Sequence, residues 1–127
     1  METQNNPYDE LLYAIIGGAM EVYNYFGPGL LESLYEKALF YELRSRNLGV
    51  QSQIPVEVNY KGNRIANDLR IDLLVEDSVV VELKAVEYLL PVHFKQVRTY
   101  MKLLNKSRGM LINFDVSDFK TGYKVIK

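Results

Sequence analysis

Asp72, Glu82 and Lys84 are the residues whose types and spacing invite chemistry: ten positions separate the two acids, and the polar stretch Glu76-Asp77-Ser78 lies midway between them. If that stretch is the loop of a hairpin, Val75 stands opposite Val79 and the pairing runs outward by counting. Leu73 then faces Val81, Ile71 faces Leu83 and Leu69 faces Ala85, so one face is wholly apolar and can cover a core. The other face sets Asp72 directly opposite Glu82, with Cβ atoms roughly 5 Å apart, and Lys84 two residues along on the same side. A slip of one residue would part the acids and bury charge.

Facing carboxylates repel, so a proton or a cation must relieve the pair. A hard divalent ion, Mg2+ or Mn2+, suits them, because it takes oxygen ligands, keeps several waters and shares its site with substrate phosphates. Such an ion acidifies its water, and Lys84 is placed to orient or deprotonate that nucleophile, or to stabilise charge developing on phosphorus. The expected chemistry is hydrolysis of a phosphodiester. The competing explanation makes Glu82 and Lys84 plain solvent-facing strand positions, with Asp72 paired to Arg70 or Lys84.

Two helices are expected ahead of any strand. Over residues 8–26 apolar side chains fall at Tyr8, Leu11, Leu12, Ile15, Ile16, Ala19, Val22, Tyr23 and Phe26, the stripe of an amphipathic helix ended by Gly27-Pro28-Gly29. A second helix over residues 30–47 buries Leu31, Leu34, Tyr35, Ala38, Leu39 and Leu43, with Gly49 closing it. Alternation of Ile54, Val56, Val58 and Tyr60 marks a strand over residues 50–60 that enters a turn at Lys61-Gly62-Asn63. Residues 65–75 and 79–86 form the hairpin just counted out. Pro91 opens a helix running to residue 105, with Val97, Tyr100, Met101 and Leu104 on one side. Residues 110–114 make a short apolar strand and residues 123–126 a candidate final one. The expected class is α/β: a mixed central sheet flanked by helices, in the order α-α-β-β-β-α-β with that final strand. One domain over residues 1–127 is expected, with residues 1–7 as a flexible tail.

Composition narrows the partners. The 127 residues, 48% hydrophobic, suffice for one core. Without cysteine there is neither a disulfide framework nor a thiolate metal site, so any metal is held by oxygen or by the single His93. A net charge of −1 and a pI near 5.8 argue against gripping nucleic acid by bulk charge. The charge is uneven, with three Lys/Arg against eight Asp/Glu in residues 1–60 and nine against four in residues 82–127, so that a phosphate-facing side would lie in the C-terminal half, although surface charge also segregates without purpose. Arg70, Lys95, Arg98, Lys102 and Lys106 are the candidate phosphate contacts, the last four recurring at helical spacing as one basic face. A solvated helix face accounts for them equally well. The segment METQNNPYDE lacks a basic stretch followed by an apolar run, and no window approaches the roughly 20 apolar residues that span a bilayer. A soluble, cytoplasmic protein with no membrane partner is expected, and its apolar first helix could pair with a second copy as a homodimer. No G-x-x-x-x-G-K-[ST] loop exists, which argues against an NTPase.

Asp72 followed by Glu82-Leu83-Lys84 on the next strand resembles the D-x(n)-(D/E)-x-K core of the PD-(D/E)XK nuclease superfamily, whose common core is α-β-β-β-α-β. Gly29-Leu30-Leu31-Glu32-Ser33-Leu34-Tyr35 matches the motif of the GxxExxY group within that superfamily. Gln96-Val97-Arg98-Thr99-Tyr100 is similar to the Q-x-x-x-Y signature of related exonuclease branches, and Leu111-Ile112-Asn113-Phe114 to the strand that follows in the GxxExxY group. The resemblance covers residues 8–114, with its motifs in order. It implies a restriction-endonuclease-like fold, metal ligation by Asp72, Glu82 and Glu32, catalysis by Lys84, and Gln96 and Tyr100 bordering the site. The proline that commonly precedes the acid is replaced by Ile71, and Tyr23 stands where the GxxExxY group often has histidine.

Each outlying residue has a simpler explanation. Glu32 follows Gly29 by three, where helix-capping glutamates occur. Gln96 and Tyr100, four apart, could be a surface hydrogen-bonding pair, and His93 a packing or hydrogen-bonding residue. For the whole chain, the expectation is a metal-dependent nuclease acting on nucleic acid, DNA first; the alternative is a catalytically silent binding or assembly module that retains the fold, in keeping with the acidic pI and apolar first helix.

Overall fold

The computed structural model describes residues 7–127, with side chains from residue 10 onward. The expected tail over residues 1–7 lies outside the described residues except for Pro7, which opens a helix, and the side chain of Tyr8 lies outside them too. The elements run α1 (Pro7–Phe26), α2 (Glu32–Ser45), β1 (Val50–Tyr60), β2 (Asn63–Val75), β3 (Val79–Lys84), α3 (Pro91–Leu103), β4 (Arg108–Asn113) and β5 (Tyr123–Ile126), with a 3-10 turn, Phe119–Thr121, before the last strand. This is the expected α/β order with its final strand, and it has the restriction-endonuclease-like arrangement of a mixed sheet between helices. Among the described residues no helix is long and apolar enough to cross a membrane.

α1 buries Leu12, Ile15, Ala19 and Val22, three or four apart, whereas Phe26, in its last turn, is exposed as the chain leaves for the glycine-rich turn. α2 is shorter than expected at both ends. Leu31 is its extended N-cap residue, and Asn47, not Gly49, closes it: Asn47 takes φ 65°, and the Leu48 N–H donates back to the Leu43 carbonyl at 3.1 Å. Asparagine tolerates the left-handed region that such a helix end demands. Its buried row is Tyr35, Leu39 and Leu43, four apart. Leu31 and Leu34, expected beside them, are 69% and 42% exposed, the first because it precedes the helix and the second because it falls one position off that row.

The five strands pair in chain order, all antiparallel except β3 with β4. A parallel pair needs a crossover, which α3 supplies. α3 lies directly on β4, since a Cβ at Gly109 would stand 2.6 Å from Met101 Sδ and 2.8 Å from Val97 Cγ1. α1 and α2 cover one face with Val75, Val79, Val81, Leu83, Met110 and Ile112, and α3 covers the other with Leu74, Val80 and Leu111. Lys61 (φ 49°) and Gly62 (φ 82°) form the two-residue loop between β1 and β2, both in the positive-φ region that favoured hairpin turns require.

The central hairpin has the counted register at Val75↔Val79, Leu74↔Val80 and Leu73↔Val81. Beyond Leu73 the counting fails: Ile71 and Leu69 pack in the α3 layer with Val56, Leu74 and Val80, not beside Leu83 and Ala85. The cause lies on the other side of β2. The β1–β2 ladder has rungs at Ser52↔Leu73 and Ile54↔Ile71 but none joining Gln53 to Asp72, and Gln53 sits at φ 52°. One irregular residue reverses the alternation of side chains. Val50, Ser52, Leu73 and Val75 therefore face α2, whereas Ile54, Val56, Leu69 and Ile71 face α3. Asp72 stands at the point of reversal.

Candidate functional site

Where the β2–β3 ladder ends, two carboxylates take over its work. The Leu83 N–H donates to Asp72 Oδ2 at 2.8 Å, and the Asp72 N–H donates to Glu82 Oε1 at 3.1 Å. Backbone N–H groups left open inside a sheet must find acceptors. Here each acid satisfies the partner strand, which holds the two carboxyl groups against each other. Glu82 is buried at 3% exposure and Asp72 is half-buried.

Lys84 ends β3 opposite Asn113 in the parallel ladder, and its carbonyl accepts from the Phe114 N–H at 2.9 Å. The chain after it, expected to continue as strand through residue 86, is instead held by the buried Asn113 side chain. Asn113 Oδ1 accepts from the Val86 N–H (3.0 Å) and the Asp115 N–H (3.2 Å), and Nδ2 donates to the Val86 carbonyl (2.8 Å). Every polar atom of this amide is thus matched, as burial requires. Sequence reasoning missed Asn113; the signal was a lone amide inside an apolar run.

α2 brings further acids. Gly27 (φ 69°) and Gly29 (φ 97°) turn the chain from α1, and Tyr35, fully buried, fastens that turn: its hydroxyl donates to the Gly27 carbonyl and accepts from the Leu30 N–H at 3.0 Å. The ring stacks on Phe114, centroids 4.4 Å apart and planes within 6°. The turn so fastened starts the helix at Glu32, and the helix N-cap has no side-chain capping bond. Glu32 has instead Lys84, Asp72 and the Ala85 backbone as electrostatic neighbours, which is not the placing of a capping glutamate. Glu36, one turn further on, also reaches Asp72 and accepts from Gln53 Nε2 at 2.8 Å. Neither Glu36 nor Gln53 was marked by sequence reasoning. Tyr35→Phe, which leaves the Gly27 carbonyl and Leu30 N–H without their partner, is expected to cost about 1–2 kcal/mol of stability, read from urea denaturation.

The electrostatics follow from burial. Desolvation, then the charge of Asp72, pushes the Glu82 carboxyl from 4.5 up to about 9, against the weaker opposing pull of the Asp72 N–H and Lys84. Desolvation raises Glu36 to about 7, opposed by the Gln53 hydrogen bond and assisted by Asp72. Glu32 is raised too, first by partial desolvation although the residue stays exposed, with Lys84 opposing and Asp72 adding. Without a cation the cluster therefore holds protons at neutral pH.

The remaining expected residues lie elsewhere or are otherwise engaged. Gln96 Nε2 donates to Tyr100 Oη at 3.4 Å, and Tyr100 packs in the α3 core layer; neither is among the groups that bias Glu32, Glu36 or Glu82. His93 Nδ1 accepts from the Leu90 N–H at 3.0 Å and so caps α3. Tyr23 donates its hydroxyl to the Val116 carbonyl and packs on Phe119, 5.3 Å between centroids. Lys95, Arg98 and Lys102 are exposed along α3, Arg70 bends its guanidinium onto the Asn67 (3.3 Å) and Leu69 (3.0 Å) carbonyls, and Lys106 is paired with Asp77 at 3.2 Å.

Among the described residues no three acidic or histidine side chains are gathered closely enough to enclose a metal ion. Two carboxylates in contact, each with one oxygen on a backbone N–H, are a different donor set. They fit a hard divalent ion that takes one or two protein oxygens and fills its shell with water and phosphate oxygens.

An acid pair at an opened rung, a lysine two residues on and helices on both faces of a mixed sheet define a restriction-endonuclease-like protein. The profile of the PD-(D/E)XK nuclease superfamily matches residues 9–126, and the chain belongs to that superfamily. No curated protein and no solved structure matches it.

Proposed function

We propose that this chain is a divalent-metal-dependent nuclease that hydrolyses phosphodiester bonds of nucleic acid, DNA first, and that it falls in the GxxExxY group of its superfamily. The observation that carries the reading is the contact of the Asp72 and Glu82 carboxylates at the end of a ladder whose next side chain on that strand face is Lys84. Asp72 and Glu82 would hold Mg2+ or Mn2+, with Glu32 beside them. When bound, the ion supplies charge neutralisation and Lewis acidity at the scissile phosphate. Lys84, near both Glu32 and Glu82, orients the attacking water and offsets charge gathering on the phosphoryl oxygens. Membership of the GxxExxY group is supported by the separate tasks of its three residues: Gly29 turns, Tyr35 fastens the turn, and Glu32 begins the helix near Lys84. Lys95, Arg98 and Lys102 are the proposed phosphate contacts; Arg70 joins them on release from its own backbone. Gln96, donating to the buried Tyr100, would border the site from the α3 side.

The test is cleavage of single- and double-stranded DNA and RNA with Mg2+ or Mn2+. Lys84→Ala is expected to lose about 100- to 10,000-fold in rate while keeping the fold, as removal of a positioned acid–base group does. Wild-type protein inert on all four substrates with both ions would overturn the reading. A second reading, a silent assembly module, draws support from the exposed Tyr13 (74%) and Tyr25 (81%) of α1, which could meet a second copy as a homodimer. It predicts no divalent-ion heat in calorimetry, together with a dimer in sedimentation.

A further inference from the structure

Gln53 combines two features that rarely meet in a strand. Its backbone is left-handed (φ 52°) although it carries a full side chain, and it has no rung to Asp72 while its neighbours Ser52 and Ile54 pair normally with β2. Non-glycine residues are held in that region only where the surroundings over-determine them, and such strain collects at functional sites. Glycine or asparagine would occupy this backbone more easily. Neither reaches as far as glutamine.

The side chain explains the choice. Ser52 faces α2, so an extended residue 53 would point to the opposite face, toward α3. The left-handed turn sends the amide back to the α2 side, where Nε2 donates to Glu36 Oε1 at 2.8 Å. Glu36 in turn touches Asp72, the residue on the other side of the missing rung. We infer that Gln53 is a positioning residue: it holds Glu36 against Asp72, so that Glu36 acts as an outer acidic neighbour of the ion-binding pair, through Asp72. The inference rests on the metal-dependent reading above and deepens it, since Gln53 thereby sets the site's affinity for a divalent cation. The irregular rung is the backbone arrangement that makes this reach attainable.

Calorimetric titration with Mn2+ alone tests it in wild type, Gln53→Asn, Gln53→Gly and Glu36→Gln. Gln53→Asn keeps an amide and suits the left-handed backbone but falls one methylene short. Both Gln53 variants and Glu36→Gln are expected to weaken Mn2+ binding about tenfold, as loss of an outer partner of a metal site does. The Gln53→Asn/Glu36→Gln double variant should be no weaker than either single change, because the two residues act as one unit. In the metal-free protein, the urea midpoint of Gln53→Gly should equal or exceed that of wild type, since strain is relieved. Wild-type Mn2+ affinity in Gln53→Asn and Gln53→Gly would overturn the proposal, and so would a lowered midpoint in Gln53→Gly, which would make the amide a structural tie. A wild-type protein that binds no Mn2+ would instead remove the metal reading on which it stands.

Discussion

Glu82→Gln is expected to slow cleavage roughly a thousandfold and, in the metal-free protein at pH 8, to stabilise the fold. The amide keeps the neutral geometry: Oε1 still accepts the Asp72 N–H, now held at 3.1 Å, while Nε2 can donate to the Asp72 carboxylate in place of the proton the pair otherwise shares. The repulsion and the desolvated charge that drive Glu82 up to about 9 both disappear. A gain of about 1–2 kcal/mol is expected, the usual return of relaxing a strained functional site. An amide is a poor ligand for a hard cation, however, and losing several kcal/mol of charge stabilisation lowers the rate by roughly three powers of ten. Urea denaturation and a cleavage assay on the same preparation check both halves. A variant less stable than wild type at pH 8, or one that still cuts at the wild-type rate, contradicts the account of the pair.

Metal-free protein should lose stability steadily as pH rises from about 5 to 9, the reverse of what salt-bridged carboxylates produce. Glu82 and Glu36 have folded values of about 9 and about 7, both above the ordinary 4.5, so between these limits the folded state holds protons that the unfolded chain has released. Stability then falls with pH. It is fully present below about 4.5, Glu36 completes its loss near 7, and Glu82 extends the decline to about 9. Glu32, raised in the same direction, adds to the slope. For a domain of this size a change of ~1–2 kcal/mol moves the thermal midpoint by roughly 5 °C or more. Mg2+ should reverse the loss, strongly at pH 8 and weakly at pH 5, because cation and proton compete for the same oxygens. Thermal melts at several pH values with and without Mg2+ decide this. A midpoint that stays flat or climbs between pH 6 and 9 would show that these acids are not held as described.

Much of the architecture was legible because periodicity and turn chemistry are local. The α1 stripe, the positive-φ loop at Lys61 and Gly62, proline at the start of α3 and the final strand at Tyr123–Ile126 all follow from neighbours in the chain. Glu76-Asp77-Ser78 was likewise enough to set the register from Val75↔Val79 to Leu73↔Val81 and so to bring Asp72 and Glu82 together. The face occupied by Ile71 was not legible. Counting assumes unbroken alternation, and nothing about a glutamine at position 53 announces a left-handed residue on the neighbouring strand. Leu31 and Leu34 misled for a related reason, since helix periodicity says which residues align but not where the helix begins.

By itself, then, the chain of residues determined which two acids meet and which lysine accompanies them, because one short hairpin fixes their separation through a period of two. Tertiary structure alone decided that Glu82 is buried, that Glu36 joins Asp72, and that Asn113 and Tyr35 hold the flanking segments in place. Those outcomes depend on how α2 approaches the sheet and on where two ladders break. Desolvation and long-range packing are sums over atoms distant in sequence, and no local pattern encodes them.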